Sequence, residues 1–284
     1  MHRRTLLGTA GSAAVLTVAA TPAAAQLFGA PEPDLWPRWQ AHDPDSTARI
    51  DHGTWDALLE RYVSAHGDGI NRVDYRGWGN SGRAGLRSYI DALAAVPVSR
   101  RNRAEQFAYW VNLYNALTVD VVLDHYPVDG IRDIDISPGL FSDGPWGRAL
   151  VTVEGVELTL DDIEHRILRP IWRDPRIHYA VNCAALGCPN LQRRAFSGSN
   201  LETLLDDGAR TFVNHPRGAE VRDGGLYVSS IYAWFQEDFG GSDSGVIAHL
   251  RRYAGPDLAS RLEGITRIAG HSYDWSLNDA TGAG

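Results

Sequence analysis

The chain has 284 residues, of which 44% are hydrophobic and 22% are charged, and its formal net charge is −8. Because there is no surplus of basic side chains to neutralise phosphates, this balance argues against nucleic-acid binding. All 27 basic residues are arginines, so the chain has no lysine that could form a Schiff base or act as a nucleophile. One domain of roughly 250 residues is the expected organisation.

The first 25 residues have the pattern of an export signal. Arg3-Arg4 resembles a twin-arginine motif, a short apolar stretch follows over residues 8–20, and alanines 23–25 form a small-residue cleavage site. The apolar stretch is too short for a permanent anchor, and no other stretch is long enough to span a bilayer. The sequence therefore predicts a signal peptide over 1–25 and a single globular domain over 26–284, periplasmic or secreted and without an integral membrane segment.

Apolar residues at helical spacing predict three helices in the first half of the chain, over residues 54–65, 86–96 and 103–125. Residues 73–75 are expected to form a short strand. The glycines at 77, 79, 82 and 85 are expected to form a loop. They lack the spacing of a phosphate-binding loop, so we assign them no binding role.

Two asparagines lie within the apolar sequence of the third helix. Asn112 and Asn115 are three residues apart, close to Trp110, Tyr114 and Leu117. A buried amide is costly unless it is hydrogen-bonded. The pair is therefore expected either to tie down a neighbouring loop or to orient a catalytic group or donate to an oxyanion.

A further helix is predicted after a capping box formed by Thr159 and Asp162. On this helix Asp161, His165 and Arg169 lie four apart on one side. A helical histidine flanked by charged residues is usually solvated. A surface position is therefore the main expectation for His165, and a catalytic or ligand role is the alternative.

Hairpins and short helices complete the expected elements. The hairpins pair residues 150–153 with 156–158 and 220–222 with 226–228; helices begin near residues 199, 230, 246 and 257; a last strand lies near 266–269. Helices outnumber strands, and the strands come mostly as hairpins. The expected fold class is α+β, a helix-rich single domain with a small antiparallel sheet and hairpins.

Both cysteines lie in residues 176–191, which read RIHYAVNCAALGCPNL. The first half of this stretch alternates with period 2, which predicts a strand with Cys183 on one face and His178 and Asn182 on the other. The proline after Cys188 favours a helix start there, where backbone N–H groups and the helix dipole would stabilise a thiolate. The face of His178 and Asn182 is expected to pack toward the two asparagines of the long helix.

Three functions remain open for this stretch. The first is a thiol-dependent hydrolase or acyltransferase acting on a peptide, amide or thioester. Cys188 would then be the nucleophile and His178 its base, because Cys183 faces away from His178. Asn112 or Asn115 would orient the substrate or an oxyanion. This function needs a small-molecule or peptide substrate and no cofactor.

The other two functions use the cysteines differently. A Cys183–Cys188 disulfide would stabilise a non-catalytic binding or scaffold domain, as exported proteins commonly do. Alternatively, Cys183, Cys188, His165 and His178 would supply the ligands of a metal site.

Four ordered stretches resemble a known family. They are residues 108–117 (AYWVNLYNAL), residues 162–170 with DIEH and LRP, residues 176–191, and residues 229–239 with SSI, WF and DF. Together they look like the bacterial domain of unknown function 547, which also forms the C-terminal part of plant leucine-zipper proteins called ternary complex factors. The resemblance covers about residues 76–239, and the tail over residues 273–278 also fits the family. It implies a fold family and no particular reaction. One departure is Tyr232-Ala233, where a basic or aromatic pair is expected.

A second likeness concerns the arrangement of elements. Papain-like and transglutaminase-like enzymes place a nucleophile on a long buried helix and a histidine on a following strand. Here the long helix carries asparagines and no cysteine. The likeness is an analogy of fold and implies no activity.

Overall fold

The computed structural model describes residues 31–138 and 144–281, so the expected signal peptide lies outside the described residues. The α-helices are α1 Gly53–Tyr62, α2 Tyr75–Ser81, α3 Arg83–Ala94, α4 Arg103–His125, α5 Arg169–Trp172, α6 Ile177–Ala180, α7 Leu201–Val213, α8 Ile231–Trp234, α9 Asp243–Tyr253 and α10 Pro256–Arg261. A π-helix, Asp162–Leu168, precedes α5. In the described part of the chain, no helix is long and apolar enough to cross a membrane.

The strands are short and form three small sheets among the described residues. They are β1 Val63–Ala65, β2 Asn71–Val73, β3 Val151–Val153, β4 Val156–Leu158, β5 Ala219–Arg222, β6 Gly225–Ser229 and β7 Ile268–Ser272. The pairs β1–β2, β3–β4 and β5–β6 are antiparallel, whereas β7 joins β6 in parallel. The helix-rich α+β class and both predicted hairpins are confirmed.

Helix α4 is the centre of the larger hydrophobic cluster and has the predicted bounds. Its first turn is capped by Asn102, whose Oδ1 accepts the N–H of Glu105 at 3.0 Å. Residues 105–119 are buried without interruption. A helix that is apolar on all sides is stable only when other elements surround it, and α2, α3 and the π-helix pack against this one.

The predicted glycine loop is wrong, because α2 and α3 occupy these residues. Asp74 caps α2 by accepting the N–H of Gly77 at 2.8 Å. Tyr75 and Trp78 are buried in the core. At Gly82, between the two helices, a Cβ would lie 2.6 Å from the ring of Tyr62. Core burial and close packing therefore outweigh the low helix propensity of glycine.

The predicted strand over residues 177–183 is also wrong. Ile177 to Ala180 form one helical turn, and the chain becomes extended only at Val181. Asp174 starts this turn by accepting the N–H of Arg176 at 2.9 Å. A buried helical turn needs apolar residues on several sides. Over only four residues, this pattern looks the same as the period-2 alternation of a strand. The helix start predicted at Cys188 is also wrong, because residues 189–200 contain no helix.

The α6 turn joins the two hydrophobic clusters of the described chain. Ile177 and Ala180 belong to the larger cluster around α4, and Tyr179 belongs to the smaller one around α7, α9 and β6. The residues with the candidate chemistry follow this junction directly.

Candidate functional site

The segment between the cysteines is a tight loop held by Asn182. The side-chain oxygen of Asn182 accepts the N–H of Ala184 at 2.9 Å, and its amide nitrogen donates to the carbonyl of Pro189 at 2.7 Å. Ala184 has a positive φ of 60°, which is unfavourable for alanine. Since both ends of the loop are bonded to one side chain, this conformation is imposed by the surrounding structure.

The C-terminal tail clamps the same loop. Leu186 donates its N–H to Ser276 O at 2.8 Å, and Gly187 donates to Asp274 O at 2.8 Å. A Cβ at Gly187 would lie 2.7 Å from the backbone nitrogen of Asp274, so this close approach requires glycine. The clamp brings Tyr273 over the loop.

Cys183, Cys188 and Tyr273 form one hydrogen-bonded group, which we call the thiol cluster. Both cysteines are free thiols. The N–H of Cys183 donates to Cys188 Sγ at 3.1 Å, and Tyr273 Oη lies 2.9 Å from Cys183 Sγ. The same hydroxyl lowers the pKa of the Cys188 thiol. Cys188 is 5% exposed, whereas Cys183 is half-buried.

The negative charge of the thiol cluster is favoured on Cys188. Burial raises the pKa of Cys188, but hydrogen bonds from Cys183 and Tyr273, together with the charge of Arg217, lower it below its ordinary value. The pKa of Cys183 is raised well above its ordinary value by its hydrogen bond to Cys188 and by burial. The two cysteines of the cluster therefore differ in charge and in burial: Cys188 holds the negative charge, and Cys183 is the less buried of the two.

Arg217 and Tyr273 are members of the site that the sequence did not reveal. Arg217 donates to Leu186 O at 2.7 Å and to Asn190 Oδ1 at 2.6 Å, and so fixes the loop beside the sulfurs. Neither residue lies in a chemical motif. The only available signal for Tyr273 was its place in a tail that resembles the family.

Half-buried aromatic rings lie next to the thiol cluster. The rings of Trp234 and Tyr273 are 4.9 Å apart, and those of Tyr273 and Trp275 are 4.7 Å apart. Trp234 stacks on Trp275 at 5.6 Å. We call Trp234, Tyr273 and Trp275 the aromatic surface.

His178 belongs to a separate group, which we call the ionic cluster: Glu164, His165, Arg169, His178 and Asp238. His178 Nε2 donates to Asp238 Oδ2 at 2.7 Å, and its Nδ1 lies 3.6 Å from Glu164 Oε1. Arg169 Nε donates to the same Asp238 oxygen at 2.6 Å. Because both ring nitrogens of His178 face carboxylates, the predicted Cys188–His178 pair is not formed.

The ionic cluster contains strongly shifted groups. Burial raises the pKa of Glu164 to about 7, although Arg169 and Tyr114 oppose the shift. Burial also lowers the pKa of His178, against the influence of Asp238. Asp238 has its pKa lowered to about 2, because the bonds from His178 and Arg169 outweigh the effect of burial. At neutral pH the group therefore contains a neutral imidazole beside an Arg169–Asp238 ion pair.

His165 is buried, so the expectation of a surface position is wrong. Burial and the charge of Arg169 lower its pKa to about 3. Arg169 Nη1 donates to His165 Nδ1 at 3.1 Å, and Asp161 lies 3.7 Å from Nε2. The predicted alignment of these three residues is confirmed. A cleft of about 380 Å³ reaches this group and is lined by Arg169, Asp238, Leu35 and neighbouring residues.

The asparagines of α4 form hydrogen bonds to the backbone of neighbouring segments, as one of the two interpretations predicted. Asn112 donates to Phe196 O at 2.7 Å and accepts the Phe196 N–H at 3.0 Å. Asn115 donates to Ala180 O at 2.9 Å and accepts the Asn182 N–H at 2.8 Å. Asn115 thus positions the chain that enters the cysteine loop. Of the face predicted to pack toward α4, Asn182 contacts Asn115 through its backbone N–H, whereas the ring of His178 bonds to Asp238 instead.

The metal interpretation does not fit this geometry. Between residues 31 and 138 and between 144 and 281, no three His, Cys, Asp or Glu side chains are placed to hold one ion. His165 and His178 lie in the ionic cluster, whereas Cys183 and Cys188 lie in the thiol cluster. The proposed four ligands therefore do not converge.

Residues 98–213 match the model of a family described as protein of unknown function, DUF547. The match confirms the resemblance to this family and lies within the expected region. It includes α4, the π-helix and both cysteines, whereas Arg217, Asp238 and Tyr273 lie beyond it. Neither the curated proteins nor the solved structures contain a match to the chain.

Proposed function

We propose that the chain is a thiol-dependent hydrolase or acyltransferase that acts on a peptide, amide or thioester. The observation that carries this proposal is the hydrogen-bonded arrangement of the thiol cluster, in which the Cys183 N–H points at Cys188 Sγ from 3.1 Å. The Cys183 N–H and the charge of Arg217 stabilise the Cys188 anion, which makes Cys188 a proton acceptor next to the Cys183 thiol.

The proposed reaction uses both sulfurs. Cys183, the less buried of the two cysteines, attacks the acyl carbon while its proton passes to the Cys188 thiolate. The new carbon–sulfur bond replaces the bond to the leaving group, which departs with the proton returned by Cys188. Water or an acceptor amine then releases the acyl group from Cys183. Cys188 is thus the general base in place of His178.

Mass spectrometry of the intact chain after incubation with a panel of acyl thioesters and activated esters tests this reaction. We expect an acyl adduct on Cys183 that is absent in Cys183→Ser. Its formation should be about 100-fold slower in Cys188→Ser, which loses the base. Tyr227→Phe is a matched control, because Tyr227 lies on β6 against Arg222. Equal rates in all four proteins would refute the proposal and favour a non-catalytic domain.

We further propose that the protein works outside the cytoplasm, with residues 1–25 as its export signal. The twin-arginine pattern and the alanine-rich site support this location. Replacing Arg3 and Arg4 by lysine should leave the full-length precursor in the cytoplasmic fraction of expressing cells. Unchanged export of the double variant would disprove the assignment.

A further inference from the structure

We infer that the Cys183–Cys188 pair also exchanges with disulfides of peptide substrates, cycling between a dithiol and an internal disulfide. This activity goes beyond the proposed acyl transfer and does not require it. Acyl transfer needs one nucleophilic sulfur and a base, whereas disulfide exchange needs two sulfurs that can bond to each other.

The geometry of the loop favours bonding between the sulfurs. Cys188 Sγ already lies 3.1 Å from the backbone nitrogen of Cys183, and the hydroxyl of Tyr273 lies 2.9 Å from Cys183 Sγ. Asn182 and the tail hold the loop in this form through backbone bonds. The second sulfur therefore has a short distance to cover, and closure leaves those backbone bonds in place.

The difference in burial between the two cysteines determines the order in which they react. Cys183 is half-buried, whereas Cys188 is 5% exposed. An incoming disulfide should therefore react with the less buried Cys183 first. The enclosed Cys188 is placed to attack that sulfur from within the protein, as a resolving cysteine does.

The exchange balances in two steps. The Cys183 sulfur attacks one sulfur of the peptide disulfide, its proton passes to Cys188, and the other peptide sulfur leaves as a thiolate that takes up that proton. The Cys188 thiolate then attacks Cys183, and the second peptide sulfur leaves and is protonated from water. The protein dithiol is oxidised to a disulfide, and the peptide disulfide is reduced to two thiols.

The aromatic surface indicates a peptide as the substrate. Trp234 and Trp275 flank Tyr273, whose hydroxyl contacts Cys183 at 2.9 Å. Half-buried aromatic rings bind apolar and aromatic side chains at little entropic cost. A peptide with such residues next to its cystine would place its disulfide over Cys183.

Trapping by mass spectrometry tests the order of the two steps. The reduced chain is incubated with a cystine peptide that has flanking aromatic residues. We expect the wild type to lose two hydrogen masses, Cys188→Ser to accumulate a mixed disulfide on Cys183, and Cys183→Ser to react slowly. Accumulation of a mixed disulfide on Cys188, or a wild type that remains reduced, would overturn the inference.

A second comparison tests the aromatic surface. Trp234→Leu should slow oxidation by the aromatic peptide about tenfold, and oxidation by glutathione disulfide much less. Trp36→Leu is the control, because this half-buried tryptophan packs on Arg166 instead. Equal slowing with both oxidants would exclude the peptide surface. If disulfide exchange is observed but no acyl adduct forms, only the proposed acyl transfer is disproved. If an acyl adduct forms but no exchange is observed, only the disulfide exchange is disproved.

Discussion

His178 donates a hydrogen bond to Asp238 across 60 residues of chain, with a distance of 2.7 Å between Nε2 and Oδ2. The same carboxylate oxygen receives the Nε–H of Arg169 at 2.6 Å. The imidazole is therefore part of an ion-pair network rather than a partner of the cysteines. The molecule separates two groups that the sequence places within ten residues of each other: His178 in the ionic cluster and Cys188 in the thiol cluster.

His178→Ala should destabilise the protein without changing its thiol chemistry. Loss of the buried imidazole removes one of the two hydrogen bonds to Asp238, which keeps its bond from Arg169, and should lower the free energy of unfolding by about 2 kcal/mol. The midpoint of the pH profile for cysteine alkylation should stay that of the wild type. Tyr273→Phe, which removes the hydroxyl that lowers the pKa of both thiols, should move this midpoint to higher pH.

Urea unfolding and iodoacetamide labelling measure these two quantities separately. A rise of the alkylation midpoint in His178→Ala would restore histidine as the base, as the strand pattern predicted. An unchanged free energy of unfolding would contradict the importance of the bond to Asp238.

Glu164 should make the protein less stable as the pH rises from about 4.5 to 7. The folded state holds the proton up to a pKa of about 7, whereas the ordinary pKa is 4.5. Its contribution is thus fully present below pH 4.5 and is lost as the pH rises through 7. The loss amounts to roughly 3 kcal/mol at most.

Glu164→Gln isolates this effect, because glutamine keeps the shape and remains neutral. His165 acts in the opposite direction, since its pKa of about 3 adds stability as the pH rises toward 6.5. The difference between the wild type and the variant cancels the histidine contribution. Urea titrations at half-unit steps of pH should show the wild type losing stability relative to Glu164→Gln. A constant difference would mean that Glu164 is ionised throughout.

Asn115→Ala should destabilise the protein by about 2–4 kcal/mol, because it leaves the carbonyl of Ala180 and the N–H of Asn182 unpaired in the core. Thr118→Val is a matched control on the same helix, since the Thr118 hydroxyl bonds only to Tyr114 O one turn earlier. In denaturant unfolding, the control should lose less than about 1 kcal/mol of its free energy of unfolding. If both variants lose a similar free energy of unfolding, the side-chain hydrogen bonds of Asn115 do not contribute to stability.

Gly187→Ala should disturb the thiol cluster from outside it. Its Cβ would lie 2.7 Å and 2.9 Å from backbone atoms of Asp274, so the tail that carries Tyr273 must move. We expect the free energy of unfolding to fall by about 1–3 kcal/mol and the pH midpoint of cysteine alkylation to rise. Gly67→Ala is the control, because nothing lies within 4 Å of its added Cβ. A wild-type alkylation profile in Gly187→Ala would show that the tail does not govern the thiols.

Local sequence signals were sufficient to predict an element where its apolar pattern agrees with the residues that mark its ends. The bounds of α4 follow from an apolar run, a capping asparagine at its start and Pro127 after its end. The hairpins and the Thr159–Asp162 capping box are likewise decided by neighbouring residues. Such elements can be read from the sequence, because the groups that satisfy their backbone lie within a few positions.

The four residues Ile177 to Ala180 show the opposite case. They are compatible with a strand and with one helical turn, and their packing against both hydrophobic clusters selected the turn. The glycine-rich α2 was decided in the same way, by burial of Tyr75 and Trp78. Local propensity is weak here compared with the free energy of burying large side chains.

The sequence by itself determined the fold class, the long asparagine-bearing helix and the nearness of the two cysteines along the chain. Only the tertiary structure decided which groups contact each cysteine and His178. Tyr273 contacts Cys183 although the two are 90 residues apart, and Asp238 bonds to His178 although they are 60 residues apart. The charge and access of a thiol depend on donors and burial supplied by distant segments. These segments meet only when the tail closes over the cysteine loop.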